Sequence, residues 1–365
     1  MKNVGILTQP LSSNYGGILQ CYALYSFLKI NGYQPFILRK NIDFGLFKKI
    51  TYKLLSITPC QNIKNIRSNS LKTKALAPFI EKHLALKSAI IHTTADLKTI
   101  SRKANLNAVI VGSDQVWRYK YIKDRHYKCF FLDFIDNSMI KKIAYSASFG
   151  IDGWEAPEKV VDVVPLLAQF NAVSVREDSG IKICEEIFHR HDVRHTLDPT
   201  LLVDPNIYKA LIDESEKIYN SKISTYILDD CPDKKDIIAS LAKSISPKTK
   251  ITHLLALQEK KQIYTIQDWL KCISGSEYVI TDSFHGMVFS IIFKKQFIAI
   301  VNNDRGACRF LSLAKQLGLE SRLVYKNELH AFDKLTKKID YFEVNEKISL
   351  LRSHSKNYLT QALEG

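Results

Sequence analysis

Residues 277–310, EYVITDSFHGMVFSIIFKKQFIAIVNNDRGACRF, confine this chain to few folds. The spacing predicts a short strand over 278–281, a polar turn carrying Asp282, Ser283 and His285, a helix over 286–293, and a second apolar strand over 297–301. That is half of a doubly wound α/β layer, in which helices cover both faces of a parallel sheet. The turn falls at the carboxyl end of a strand and the amino end of a helix. Open α/β sheets place ligands there, and unpaired backbone N–H groups attract anions there. His285 is therefore a candidate acid or base beside an anion site, with a turn-capping residue as the plainer reading.

The same alternation recurs along the chain. Strand patterns at 3–8, 33–38, 108–111, 142–148 and 172–176 are separated by helical ones, and the pattern restarts with strands at 225–228 and 250–255. A chain of 365 residues exceeds what one hydrophobic core usually serves. The expected fold class is thus α/β, with two Rossmann-like domains facing across a cleft. The boundary is expected in LDPTLLVDP (197–205), read as an apolar strand-like piece between prolines. This gives an N-terminal domain over 1–204 with a basic helical insertion at about 41–104, expected on the acceptor side. A C-terminal domain over 205–343 is expected on the donor side, and a helix over 344–365 is expected to pack back on the first domain.

Strand ends supply the other candidates. The turn 12–17 carries Asn14, Gly16 and Gly17, small residues that let a ligand approach the backbone, although a capped helix start would use the same letters. It is not a G-x-G-x-x-G fingerprint. Ser113, Asp114 and Gln115 follow the strand at 108–111. Arg176 ends the strand at 172–176, and its planar fork suits a carboxylate or phosphate, with a salt bridge to Glu177 or Asp178 as the alternative. No metal is demanded: Asp114, Asp198 and Asp282 form no D-x-D, and HRHDVRH (189–195) reads as a polar loop.

Charge is uneven. Of the formal +15, a net +11 lies between Arg39 and Lys103, where 14 Lys and Arg meet only Asp43, Glu81 and Asp96. Anionic partners are implied, among them phosphorylated substrates or an anionic membrane surface, with solvated helix faces as the alternative. The aromatic residues of this segment do not form a base-stacking platform, so nucleic acid is not expected. Seven scattered cysteines without a C-x-x-C pair, no signal-peptide layout and no apolar run of about 18 residues lead to the expectation of a cytoplasmic protein, with peripheral contact at the inner face of the plasma membrane. No feature sets an oligomeric state.

Two Rossmann-like layers across a cleft describe the GT-B architecture. NYGGILQCYAL, AVIVGSDQVW, KKIAYSASFG, SVREDSG, LDPTLLV and TDSFHGMVFSIIF occur in one order over most of the chain. Together they resemble the polysaccharide pyruvyl transferase family. The resemblance implies transfer of pyruvate from phosphoenolpyruvate to a sugar hydroxyl pair in cell-surface, capsular or exopolysaccharide assembly, with no cofactor beyond that donor. A saccharide is the implied acceptor, with a lipid-linked oligosaccharide as one form of it. The match implies His285 as catalytic acid and Arg176 as a contact for the donor's carboxylate or phosphate. Several family members carry Arg two residues before this His, where this chain has Ser283. Arg305 and Arg309 in NNDRGACRF are expected to restore that charge. Two other readings stay open: a GT-B glycosyltransferase with a nucleotide-sugar donor, and a non-catalytic carbohydrate-binding descendant.

Overall fold

The computed structural model describes residues 1–41, 61–122, 126–229, 231–245, 249–255, 263–302, 305–325, 334 and 337–365, with only the backbone of 61–68. Most of the first half of the expected basic insertion, 42–60, lies outside the described residues.

Two parallel sheets form the frame. The first contains β1 (Asn3–Leu7), β2 (Gln34–Ile37), β3 (Ala108–Val111), β4 (Lys141–Ala147), β5 (Ala172–Val175) and β6 (Arg194–His195), in the order β2-β1-β3-β4-β5-β6. The second contains β7 (Ile223–Tyr226), β8 (Ile251–His253), β9 (Tyr278–Thr281), β10 (Gln296–Ile300) and β11 (Leu323–Val324), in the order β11-β10-β9-β7-β8. Both sheets are covered on two faces, which is why β3 and β9 read as unbroken apolar runs instead of alternating ones.

The strand order reverses between β1 and β3 in the first sheet, and between β7 and β9 in the second. At such a switch point the crossover helices diverge to opposite faces and leave a crevice at the carboxyl ends of the strands. The loops after β1, β3, β7 and β9 all contribute to one cavity.

The two halves share apolar packing. Tyr15 opens the helix Tyr15–Ile30 of the first half, yet its ring stacks on Trp269 of the second at 5.6 Å and its hydroxyl donates to the Tyr264 carbonyl at 2.6 Å. The C-terminal helix Tyr341–Glu364 runs back along the first sheet. Its Tyr358 hydroxyl donates to the Ala144 carbonyl, Arg352 Nε donates to the Leu201 carbonyl, and Ser355 Oγ accepts from Leu197 N.

Two local expectations are corrected. The piece between Pro199 and Pro205 is not strand-like: Pro199–Leu202 is a short helix. Asp198 accepts from Thr200 N at 3.0 Å as its N-cap, and Pro199 takes the first helical position, where a missing N–H is harmless. The tract 189–195 is not wholly loop, because Arg194–His195 adds an edge strand beside β5.

Candidate functional site

The cavity has a volume of about 360 Å³. Gln9 and Asn14 line it from the β1 side, Asp114 and Gln115 from the β3 side, and Ser283, Phe284 and His285 from the start of the helix after β9. Arg305 and Arg309 line it from beyond β10, and Tyr121 also reaches it.

Ser283 is the N-cap of the helix Phe284–Ile292, its Oγ accepting from Gly286 N. The cap aims the first turn, and with it His285, at the opposite half. His285 is 5% exposed. Its ring lies against the start of the helix Tyr15–Ile30: a Cβ on Gly16 would stand 2.0 Å from His285 Nδ1. Only glycine there leaves room for the imidazole. Gly17 is less crowded, its hypothetical Cβ lying 3.1 Å from Asn14 Nδ2 and 3.3 Å from Asp114 Oδ2.

Asn14 occupies the N-cap position of its helix without capping it, and instead donates to Asp114 Oδ2 at 3.4 Å. Asp114 holds φ +68°, an uncommon conformation for a residue with a side chain, and Gln115 N donates to its Oδ1. Gln115 accepts from Arg118 through its side-chain oxygen and packs tightly on Gly150.

Behind this wall lies a buried ionic network. Arg176 is not a lining residue; its side chain is 1% exposed. Its Nη1 donates to Asp198 Oδ2 at 2.6 Å, and its Nη2 is 3.7 Å from Asp114 Oδ1. Ser113, also behind the wall, donates to Asp198 Oδ2 at 3.0 Å. His285 Nε2 lies 3.6 Å from the same Asp198 oxygen. Burial opposes the Asp198 charge, but the nearby His285, then the Arg176 charge and the Thr200 hydrogen bond, hold its pKa well below the usual carboxylate range. Burial likewise opposes the Arg176 charge, and Asp198 and Asp114 overcome it.

The rim arginines differ. Both fork nitrogens of Arg305 are taken by Asp229, at 2.5 Å each. Arg309 is 6% exposed, and it donates to the carbonyls of Gly306 and Arg305. Asp282, though it borders the cavity, is committed to Leu228 N, Asp229 N and Lys234 Nζ. Among the described residues no group of three or more His, Cys, Asp or Glu is placed to hold a metal ion.

This arrangement combines a cross-cleft histidine, a buried carboxylate behind it, and two helix starts with arginines around one polar cavity. It can deliver a proton and balance anionic charge. The profile of the family named "Polysaccharide pyruvyl transferase" matches residues 14–304, a span that includes the cleft loops except the residues before Asn14 and the stretch from Arg305 onward that carries both rim arginines. The chain belongs to the polysaccharide pyruvyl transferase family. No curated protein matches it in sequence.

The architecture has likenesses among solved structures. UDP-GlcNAc 2-epimerase from Neisseria meningitidis, solved bound to UDP-GlcNAc, is similar at TM-score 0.54 and 10% identity, covering 100% of this chain and 99% of the epimerase. UDP-N-acetylglucosamine 2-epimerase from Rickettsia bellii is similar at TM-score 0.53 and 10% identity, covering 100% and 97%. These likenesses show the fold, two facing α/β layers of the GT-B kind.

All the candidate residues therefore surround one region, in two shells. Asn14, Asp114, Gln115, Ser283, His285, Arg305 and Arg309 line the cavity. Gly16, Gly17, Ser113 and Arg176 stand behind or beside them. The part of Asp198 was missed, because a D-P pair announces only a turn or helix start. Phe284 and Tyr121 were missed as well: a lone aromatic carries no signal of which cavity it faces.

Proposed function

We propose that this protein transfers a pyruvyl group from phosphoenolpyruvate to a saccharide, forming a pyruvyl ketal during assembly of a cell-surface polysaccharide. The observation that carries this reading is His285, set at a helix start inside the cavity with Asp198 at its Nε2 side and arginines around it.

In that reaction His285 gives a proton to the methylene carbon of phosphoenolpyruvate, which becomes a methyl group beside an oxocarbenium-like centre. One sugar hydroxyl adds to that centre, the bond to the phosphate oxygen breaks, and a second hydroxyl of the same sugar closes the ketal. One hydroxyl proton restores His285, and the other leaves with phosphate. A positioned histidine contributes about 10²- to 10⁴-fold to such a proton transfer. Helix-start N–H groups and guanidinium groups stabilise the charge gathering on the leaving phosphate. Arg176 acts from behind, fixing Asp198 and Asp114, and those two carboxylates orient the imidazole and the Asn14 loop.

Tyr121 offers the acceptor an aromatic face. Arg118 covers the ring at 4.8 Å, and the residue is 38% exposed where it borders the cavity. An acceptor carried on a lipid at the cytoplasmic face of the membrane gives the basic segment 39–103 a partner. Among the described residues no helix is long and apolar enough to cross a membrane, so such contact is peripheral in this reading.

Thermal unfolding with ligands tests the donor. Phosphoenolpyruvate raises the midpoint in this reading, whereas protection by a nucleoside diphosphate without any by phosphoenolpyruvate points to a nucleotide-sugar enzyme. Sedimentation with anionic vesicles at low and high salt tests the membrane contact, and no binding at low salt removes it.

A further inference from the structure

We infer that Arg309, and not Arg305, is the guanidinium that seats an oxyanion of the ligand, beside the Ser283 hydroxyl and the N-terminus of the helix Phe284–Ile292. The inference deepens the reading of the site above and relies on it only for the identity of the donor.

Arg305 and Arg309 both border the cavity, so position alone does not choose between them. Their partners do. Arg305 is already neutralised by a two-pronged ion pair with Asp229, whose Oδ2 also accepts from Asn302. A ligand anion competing for that fork has to displace a carboxylate of the protein itself.

Among the described residues Arg309 has no carboxylate within ion-pair distance. Two of its nitrogens are spent on backbone carbonyls, Nε on Gly306 and Nη2 on Arg305, and Nη1 donates to nothing among the described residues. Asp114 and Glu177 favour its charge from beyond ion-pair distance but do not offset its burial, and a buried charge so weakly compensated is kept where something supplies the rest. Burial, and then the nearby Arg176 charge, push the Arg309 pKa down to about 10, as expected of a guanidinium still waiting for its anion.

The surroundings hold Arg309 in that state. Gly306 has φ +97°, and a Cβ there would come within 2.5 Å of the Gly150 carbonyl and 2.9 Å of Arg309 Nε, so only glycine permits the packing. The guanidinium lies over the Phe284 ring at 5.4 Å, and Arg176 lies over the same ring at 4.6 Å. Phe284 thus holds both guanidiniums against one ring. The residues flanking Phe284 are Ser283, whose hydroxyl hydrogen has no acceptor among the described residues, and His285. The seat therefore adjoins the proposed acid. Asp114 borders the same cavity, but its oxygens are engaged by Asn14 and Gln115 N.

The ligand chemistry is a carboxylate or phosphate group on a small molecule. Isothermal titration of wild type, Arg309→Gln, Arg309→Lys and Arg305→Gln with phosphoenolpyruvate, inorganic phosphate and pyruvate separates the two groups. Arg309→Gln is expected to weaken phosphoenolpyruvate about 10- to 100-fold, the range for losing a charge-assisted fork. Arg309→Lys keeps the charge without the fork and is expected to fall between Gln and wild type; Arg305→Gln is expected to lose less than Arg309→Gln. Whichever of phosphate and pyruvate shares the loss is the group seated. Should Arg309→Gln fail to fold, Arg309→Lys decides: wild-type affinity in it overturns the seat, as does a larger loss in Arg305→Gln. Arg309-dependent binding of phosphate without binding of phosphoenolpyruvate keeps the seat and removes the pyruvyl donor. A protein that converts phosphoenolpyruvate but binds it independently of Arg309 keeps the donor and removes the seat.

Discussion

Gly16 lies so close to His285 that a Cβ on the glycine would meet Nδ1 at 2.0 Å, although 269 positions separate the two and their helices follow strands of different sheets. The contact joins the uncapped start of one helix to the capped start of another across the cleft. Tyr15, next to Gly16, is anchored on Trp269, so the glycine cannot easily retreat.

Gly16→Ala therefore displaces the imidazole. Overpacking of this kind costs about 1–3 kcal/mol of stability, and a shift of about 1 Å in a catalytic group costs on the order of 10²-fold in rate. A lowered thermal midpoint with a much larger fall in kcat than rise in KM is the expected result. Near-normal kcat in a folded variant would mean that the ring position is irrelevant.

Asp198 has a separate signature. Asp198→Asn removes the closer of the two carboxylates that face Arg176, and breaking a buried pair costs about 3–5 kcal/mol when no second partner remains, so the loss is expected at or below the lower end of that range. The folded-state pKa of Asp198 is depressed, so its contribution is fully present above the unfolded carboxylate value of about 4 and is lost as pH falls through the folded value. Chemical denaturation in the acid limb should show the gap between wild type and variant persisting at about pH 5 and closing only in stronger acid. A gap that widens as the pH falls below about 4 would contradict the assigned charge.

Tyr121→Ala tests the acceptor side. Loss of one aromatic stacking surface is worth about 0.5–1.5 kcal/mol, so the acceptor KM should rise about 3- to 10-fold with the donor KM unchanged. A change confined to the donor would place the saccharide elsewhere.

Much of the frame is legible in the residues themselves. Ala108–Val111 and Tyr278–Thr281 fall at the expected positions because strands buried on both faces tolerate little but apolar side chains. The two-residue strands β6 and β11 escape notice because they lie at sheet edges inside polar or mixed tracts, where pairing comes from neighbours and not from a local pattern. The turn residues Asp114, Ser283 and His285 announce themselves at strand ends. What no local pattern contains is strand order, and strand order decides which loops meet. Arg176 shows the consequence: at a strand end it reads as a ligand contact, whereas the fold turns it inward onto Asp198. The contrast between Arg305 and Arg309 is equally invisible in NNDRGACRF, since Asp229, which separates their roles, lies in another loop.

The central claim is pyruvyl transfer with His285 as acid. Incubating the protein with phosphoenolpyruvate and a panel of glycans, with mass spectrometry of the glycans and assay of released phosphate, measures it directly. Wild type is predicted to add a pyruvyl ketal and release phosphate in equal amounts, and His285→Ala to lose about 10²-fold or more in turnover while still binding phosphoenolpyruvate. No ketal on any glycan together with hexose transfer from a nucleotide sugar, or a His285→Ala protein turning over at the wild-type rate, would contradict the account.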